Sequence, residues 1–194
     1  MTTVIHFPGM TTNTNQSQTA PHWQGRLRKG CFVGREQELA ELRAGLEDIL
    51  RGRGRVFLLA GEPGVGKTRT VRELAAYACC RGAQVYVGHC DESDSAPPYW
   101  PWVQLVRTYI SDRGPQMLQA EMGPGAADIA QVMPAVHERV PGLPLPPVLE
   151  PQSARFRFFG SFAAFLKKAA KAQPLVLILD DLQRAAVRFS AWPR

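Results

Sequence analysis

A chain of 194 residues, 45% of them hydrophobic, is long enough for one α/β domain with a sizeable core, and its composition excludes disorder as a global description. The formal charge of +6, from 23 basic and 17 acidic residues, favours anions, but the basic residues are spread along the chain and define no nucleic-acid-binding tract. No hydrophobic run approaches a membrane span and no secretory pattern follows Met1, so a reducing cytoplasm is the simplest location.

Residues 1–30 read as a disordered leader, because the Thr-, Asn- and Gln-rich stretch 11–19 has no apolar periodicity. A helix follows over residues 36–50, with Leu39, Leu42, Leu46 and Ile49 at helical spacing, until Arg51-Gly52-Arg53-Gly54 breaks it. Residues 56–60 form a nearly continuous apolar run, the pattern of a strand covered on both faces. Residues 68–80 predict a helix with Val71, Leu74, Ala75 and Ala78 on its buried side, and residues 84–88 a second strand. Strand, helix and strand in this order make a parallel α/β unit. Further helices are expected over 102–111, over 126–139 with Ile129, Val132, Met133 and Val136 inward, and over 153–172 with Phe156, Phe159, Ala163 and Leu166 as its face. The Pro-rich run 141–151 is irregular. A third buried strand, 175–179, delivers Asp180 and Asp181 at its carboxyl end.

The loop between the first strand and its helix is Gly61-Glu62-Pro63-Gly64-Val65-Gly66-Lys67-Thr68, an unbroken GxxxxGKT pattern. Its glycines let the backbone curl so that several N–H groups face phosphate oxygens, and the following helix start adds free donors and a favourable dipole. Lys67 can reach the β and γ phosphates, and the Thr68 hydroxyl can coordinate Mg²⁺. A carboxylate just beyond a buried strand, Asp180, can hold the metal from the other side through water, and Asp181 could polarise an attacking water. The plain alternative for this acidic pair is an exposed turn with two solvated carboxylates. Asp91, Glu92 and Asp94 form a second acidic group that reads more simply as a solvated loop. Arg35 could contact nucleotide or brace the helix that begins at Glu36, and the residues alone leave these readings level. Trp100 and Trp102 read as packing groups, since no basic groove surrounds them. Cys31, Cys79, Cys80 and Cys90 form no CxxC pair or zinc-ligand series and read as reduced structural residues.

Taken in order, Phe32-Val33-Gly34-Arg35-Glu36-Gln37-Glu38-Leu39, the phosphate loop with Leu58-Leu59-Ala60 before it, Pro97-Pro98-Tyr99-Trp100-Pro101-Trp102, Ala154-Arg155-Phe156-Arg157-Phe158-Phe159 and residues 174–182 resemble the ATPase module of the signal-transduction ATPases with numerous domains, an AAA-related class found in large bacterial regulators of the LuxR or MalT type. The resemblance covers about residues 31–182. It implies a P-loop NTPase fold, three-layer α/β/α with a parallel sheet, of which only the N-terminal portion is expected. It also implies ATP and Mg²⁺ as ligands, Lys67 and Thr68 as the phosphate lysine and magnesium hydroxyl, and Asp180 and Asp181 as the acidic Walker B positions. Arg35 would lie beside the adenine pocket. Relatives often continue Asp-Asp-Leu-His-Trp-Ala-Asp, whereas this chain has Asp180-Asp181-Leu182-Gln183-Arg184-Ala185-Ala186, and residues 183–194 read as an atypical tail after which the module is cut short. In the resembled sheet, ordered 5-1-4-3-2, that truncation leaves both neighbours of the 56–60 strand missing and its ladder unpaired.

Three functions compete. The leading one is an ATP-binding regulatory switch with slow Mg²⁺-dependent hydrolysis, acting on other domains or protein partners of a multidomain regulator. The others are a non-catalytic nucleotide-binding or scaffold protein, and a small-molecule kinase, for which no acceptor pocket or lid is identifiable.

Overall fold

The computed structural model describes residues 34–90 and 99–182, together with the backbone of residues 2–7. Four strands, β1 (Thr2–Phe7), β2 (Val56–Leu59), β3 (Gln84–His89) and β4 (Leu175–Asp180), form one sheet in the order β2-β1-β4-β3. β3 and β4 pair in parallel, while β1 runs antiparallel to both of its neighbours. The three strands foreseen from the sequence therefore share one direction, and a fourth runs against them.

Helices cover both faces. On one side α1 (Glu36–Leu50) and α2 (Lys67–Cys80) pack Leu42, Leu46, Ile49, Val71, Leu74, Ala75 and Ala78 against Val85, Val176 and Ile178. On the other lie α3 (Trp100–Ser111), α4 (Pro115–Met122), α5 (Ala126–Val132), α6 (Ala135–Arg139) and α7 (Pro151–Ala172), against Leu175, Leu177 and Leu179. Alternate residues of β4 thus enter opposite cores, and all six are buried. This is the three-layer α/β/α arrangement of a P-loop NTPase core.

Four sequence expectations are corrected. The reading of residues 1–30 as a disordered leader does not describe Thr2–Phe7, which form a central strand, and β1 supplies one of the two neighbours that β2 was expected to lack. β2 is covered on one face only: Phe57 and Leu59 pack toward α1 and α2, but Val56 is 68% and Leu58 59% exposed. The helix foreseen over 126–139 is two helices, because Pro134 forces Met133 out of the helical region, to φ −126° and ψ 78°. On α7 the buried stripe is Phe158, Phe162, Phe165, Leu166 and Ala169, with Phe156 pointing out at 81% exposure. A helix with this many phenylalanines carries two apolar stripes, and periodicity alone does not choose between them. The acidic residues Asp91, Glu92 and Asp94 and the tail 183–194 lie outside the described residues.

Paired polar groups fasten the helical side. The Tyr109 hydroxyl donates to Glu121 at 2.6 Å, joining α3 to α4, and burial together with that carboxylate pushes the phenol's pKa up. Arg157 and the Ser161 hydroxyl both donate to the buried carboxylate of Asp128, joining α7 to α5. Trp102 meets Phe162 edge-on, which bears out its reading as a packing group. At the sheet's far edge Gln104 donates to the His89 carbonyl and accepts from the His89 N–H, both at 3.1 Å, so an amide side chain closes the end of β3.

Two substitutions test this architecture. A methyl group at Gly88 collides with the carbonyl of Pro101, where α3 lies against β3. Gly88→Ala is therefore expected to destabilise the fold by about 1–3 kcal/mol, read as a lower urea midpoint. Val4→Pro removes an N–H from a central strand, and is expected to cost roughly 2–4 kcal/mol from the lost bond and the stranded acceptor. An unchanged midpoint for Val4→Pro would show that β1 does not lie in the ladder.

Candidate phosphate-binding site

β2 ends at Leu59 and the loop 61–66 carries the chain into α2 at Lys67. Gly64 at φ 79° and Gly66 at φ 94° adopt left-handed backbone that β-carbon residues rarely hold, so the glycines of the pattern are needed where they stand. Gly66 is the N-cap residue of α2 and no side chain caps that end. The first N–H groups of a fourteen-residue helix thus have no side-chain partner at the loop, which is the arrangement that takes up anions. Lys67 folds back over the loop, and its ammonium donates to the carbonyls of Gly61 and Glu62, each at 2.8 Å. Thr68, one residue into the helix, is exposed.

The acidic pair reaches the same end of the sheet. Thr2 of β1 pairs with Leu59 on one side and with Asp180 on the other, so the start of the loop and the end of β4 stand level across one strand. Two strand spacings place them roughly 10 Å apart. Asp180 is nearly buried, and one of its carboxylate oxygens accepts the N–H of Asp181 at 3.1 Å. Asp181 itself turns left-handed at φ 59°. Next to them, the Cys90 N–H donates to the Asp180 carbonyl. Burial first, then the charges of Asp181 and Asp180, push the Cys90 thiol pKa up.

Arg35 comes to this site from α1. It is the N-cap of that helix, left-handed at φ 58°, and its guanidinium donates to Glu38 at 3.0 Å. A methyl group at Gly66 would sit 3.9 Å from its Nε, which sets Arg35 beside the loop. The structure thus gathers the loop, Arg35 and Asp180 at one edge. Glu38 and Cys90 are additions that the motif reading did not single out. Glu38 was legible as an i, i+3 partner of Arg35, and His89-Cys90 was weighed as a possible contributor to a site but read as structural.

Mg²⁺ takes hard oxygen donors and keeps most of its waters, and the Thr68 hydroxyl and the Asp180 carboxylate are donors of that kind. Among the described residues no cluster of three or more His, Cys, Asp or Glu side chains forms a self-sufficient metal site.

An α/β/α core in which β2, β3 and β4 share one direction, with a glycine loop leading from a strand into a helix, is that of a P-loop NTPase. The chain matches the family model described as AAA ATPase domain over residues 31–189, and it belongs to that family, whose members generally bind and hydrolyse ATP. No curated protein and no solved structure matches it significantly. Among the described residues no helix is long and apolar enough to cross a membrane.

Cys90 offers a reporter for this edge. Its alkylation is expected to lag behind that of exposed Cys80 and to need a more alkaline pH than an ordinary thiol. Asp181→Asn should shift the Cys90 pH–rate profile toward neutral, followed peptide by peptide with mass spectrometry. An unmoved profile would mean that the carboxylate does not face the thiol.

Proposed function

We propose that this chain is an ATP-binding regulatory switch module, in which nucleotide state controls contacts with other domains or protein partners of a larger regulator. The observation that carries the reading is the loop 61–68. A glycine-dependent backbone enters an uncapped helix, with the Lys67 ammonium held over it.

In this reading the backbone N–H groups of the loop and of the first turn of α2 bind the phosphates, together with Lys67. The ammonium exchanges the carbonyls of Gly61 and Glu62 for phosphate oxygens. Thr68 and Asp180 hold Mg²⁺, which screens the phosphate charge when bound. Asp181 orients the attacking water or accepts its proton; water attacks the γ phosphorus, the bond to the β phosphate breaks and ADP leaves with its oxygen, slowly enough for the bound state to act as a signal. The regulatory output rests on the resemblance to LuxR- and MalT-type regulators. Free thiols at Cys79, Cys80 and Cys90 agree with a cytoplasmic setting.

A second reading, nucleotide binding without turnover, is favoured by one observation. The slot between β2 and β4 is filled by the antiparallel β1, whose Thr2 stands at the loop edge. In the resembled parallel sheet, ordered 5-1-4-3-2, that slot holds a strand running in the same direction as β2.

Both readings are separated by titrating the chain with ATP and Mg²⁺ and measuring phosphate release, in the wild type and in Lys67→Ala. The wild type is expected to bind, and Lys67→Ala to weaken binding by at least tenfold, the scale of losing a charge-assisted contact. Slow release abolished by Asp181→Asn supports the switch with turnover, while binding with no release supports the second reading. A folded wild type that binds no nucleotide would sink both.

A further inference from the structure

Arg35 and Glu38 hold a relationship to the loop that its motif does not account for. Resting on the nucleotide-binding reading above, we infer that Arg35 engages the nucleotide at its phosphates, not at its base, and that Glu38 is the resting counter-ion it must leave to do so. Arg35 Nε lies 3.9 Å from where a methyl group at Gly66 would stand, and Gly66 is the residue at which the loop becomes α2. That is where N–H groups converge on phosphate oxygens. Two consecutive left-handed residues, Gly34 at φ 82° and Arg35 at φ 58°, set the direction in which the side chain leaves α1. The guanidinium fork matches phosphate oxygens geometrically, which makes it a suitable ligand at such a point.

In the structure that guanidinium donates to Glu38 Oε1 at 3.0 Å, and both side chains reach solvent, at 34% and 51% exposure. The pair is a surface ion pair one turn into α1, weak enough to be exchanged. Lys67 is engaged in a similar way, its ammonium donating to the carbonyls of Gly61 and Glu62. Both cations are thus engaged by acceptors of the chain itself. Carbonyls compete weakly for a cation against phosphate, whereas a carboxylate competes more strongly, so Glu38 sets the affinity threshold.

The experiment is a set of titrations of the full chain with ATP and GTP, in the wild type, Arg35→Ala, Arg35→Lys, Glu38→Gln and the double variant Arg35→Ala/Glu38→Gln, with unfolding midpoints measured alongside. Arg35→Ala is expected to weaken both triphosphates by the same factor, about tenfold, leaving their ratio unchanged. Arg35→Lys should recover part of the loss. Glu38→Gln should tighten binding about two- to fivefold, and only while Arg35 is present. A loss confined to ATP would place Arg35 at the base and overturn the inference, as would a Glu38→Gln variant that binds no tighter than wild type. If Lys67→Ala loses binding while Arg35→Ala and Glu38→Gln do not change it, the inference alone fails. A wild type that binds neither triphosphate removes the inference together with the reading on which it rests.

Discussion

Strand β2 carries the phosphate loop, yet among the described residues its only ladder partner is β1. The register runs from Thr2 opposite Leu59 to Ile5 opposite Val56, and on its other side β1 pairs along the whole of β4. The loop is thereby tied to the acidic pair through six residues at the start of the chain. Remove that strand and β2 keeps only the packing of Phe57 and Leu59 against α1 and α2, with a backbone ladder open on both edges. The nearness of the loop to Asp180 depends on this ladder more than on any side-chain contact.

Around the loop, packing is arranged to leave the backbone in place while the side chains stay free to exchange partners. Gly45 on α1 is small because the Phe57 ring lies directly over it, so the strand that feeds the loop is seated tightly on the helix. The loop itself is exposed over residues 61–65, and its two cations are satisfied by acceptors that ligand oxygens can replace. A seated strand under a free loop suits the proposed site: the backbone is ordered by folding, and binding in that reading need only exchange the partners of Lys67 and Arg35.

Much of this was legible in the sequence, for physical reasons that differ by element. The faces of α1 and α2 were readable because each has a single apolar stripe and a polar opposite side. The loop was readable because its glycines and Lys67 are required at fixed spacing by backbone geometry. α4 was missed, although Pro115 at its first turn and Gly123 just past its end are the ordinary start and stop signals of a short helix. The phase of α7 was missed because Phe156 and Phe159 compete with Phe158 and Phe162, and only the position of the sheet decides between them. β1 was missed although Thr2, Thr3, Val4 and Ile5 are all β-branched. Its pairing spans more than fifty residues to β2 and more than one hundred and sixty to β4, and no local pattern encodes a contact at that separation.

Binding and hydrolysis draw on different parts of this architecture. The groups that would hold phosphates lie on eight consecutive residues and one helix start, so their geometry follows from local backbone conformation and survives changes elsewhere in the sheet. In the proposed switch, hydrolysis needs a water placed between that loop and Asp181, so it would depend on the register across β1, the antiparallel strand in that slot, whose Thr2 stands level with Leu59 and Asp180. A displacement of about an ångström across that slot would leave affinity largely intact and lower turnover by orders of magnitude. Under the proposed function, affinity and turnover are therefore separable, the first resting on residues 61–68 and Arg35 and the second on the strand that lies between the loop and the acids.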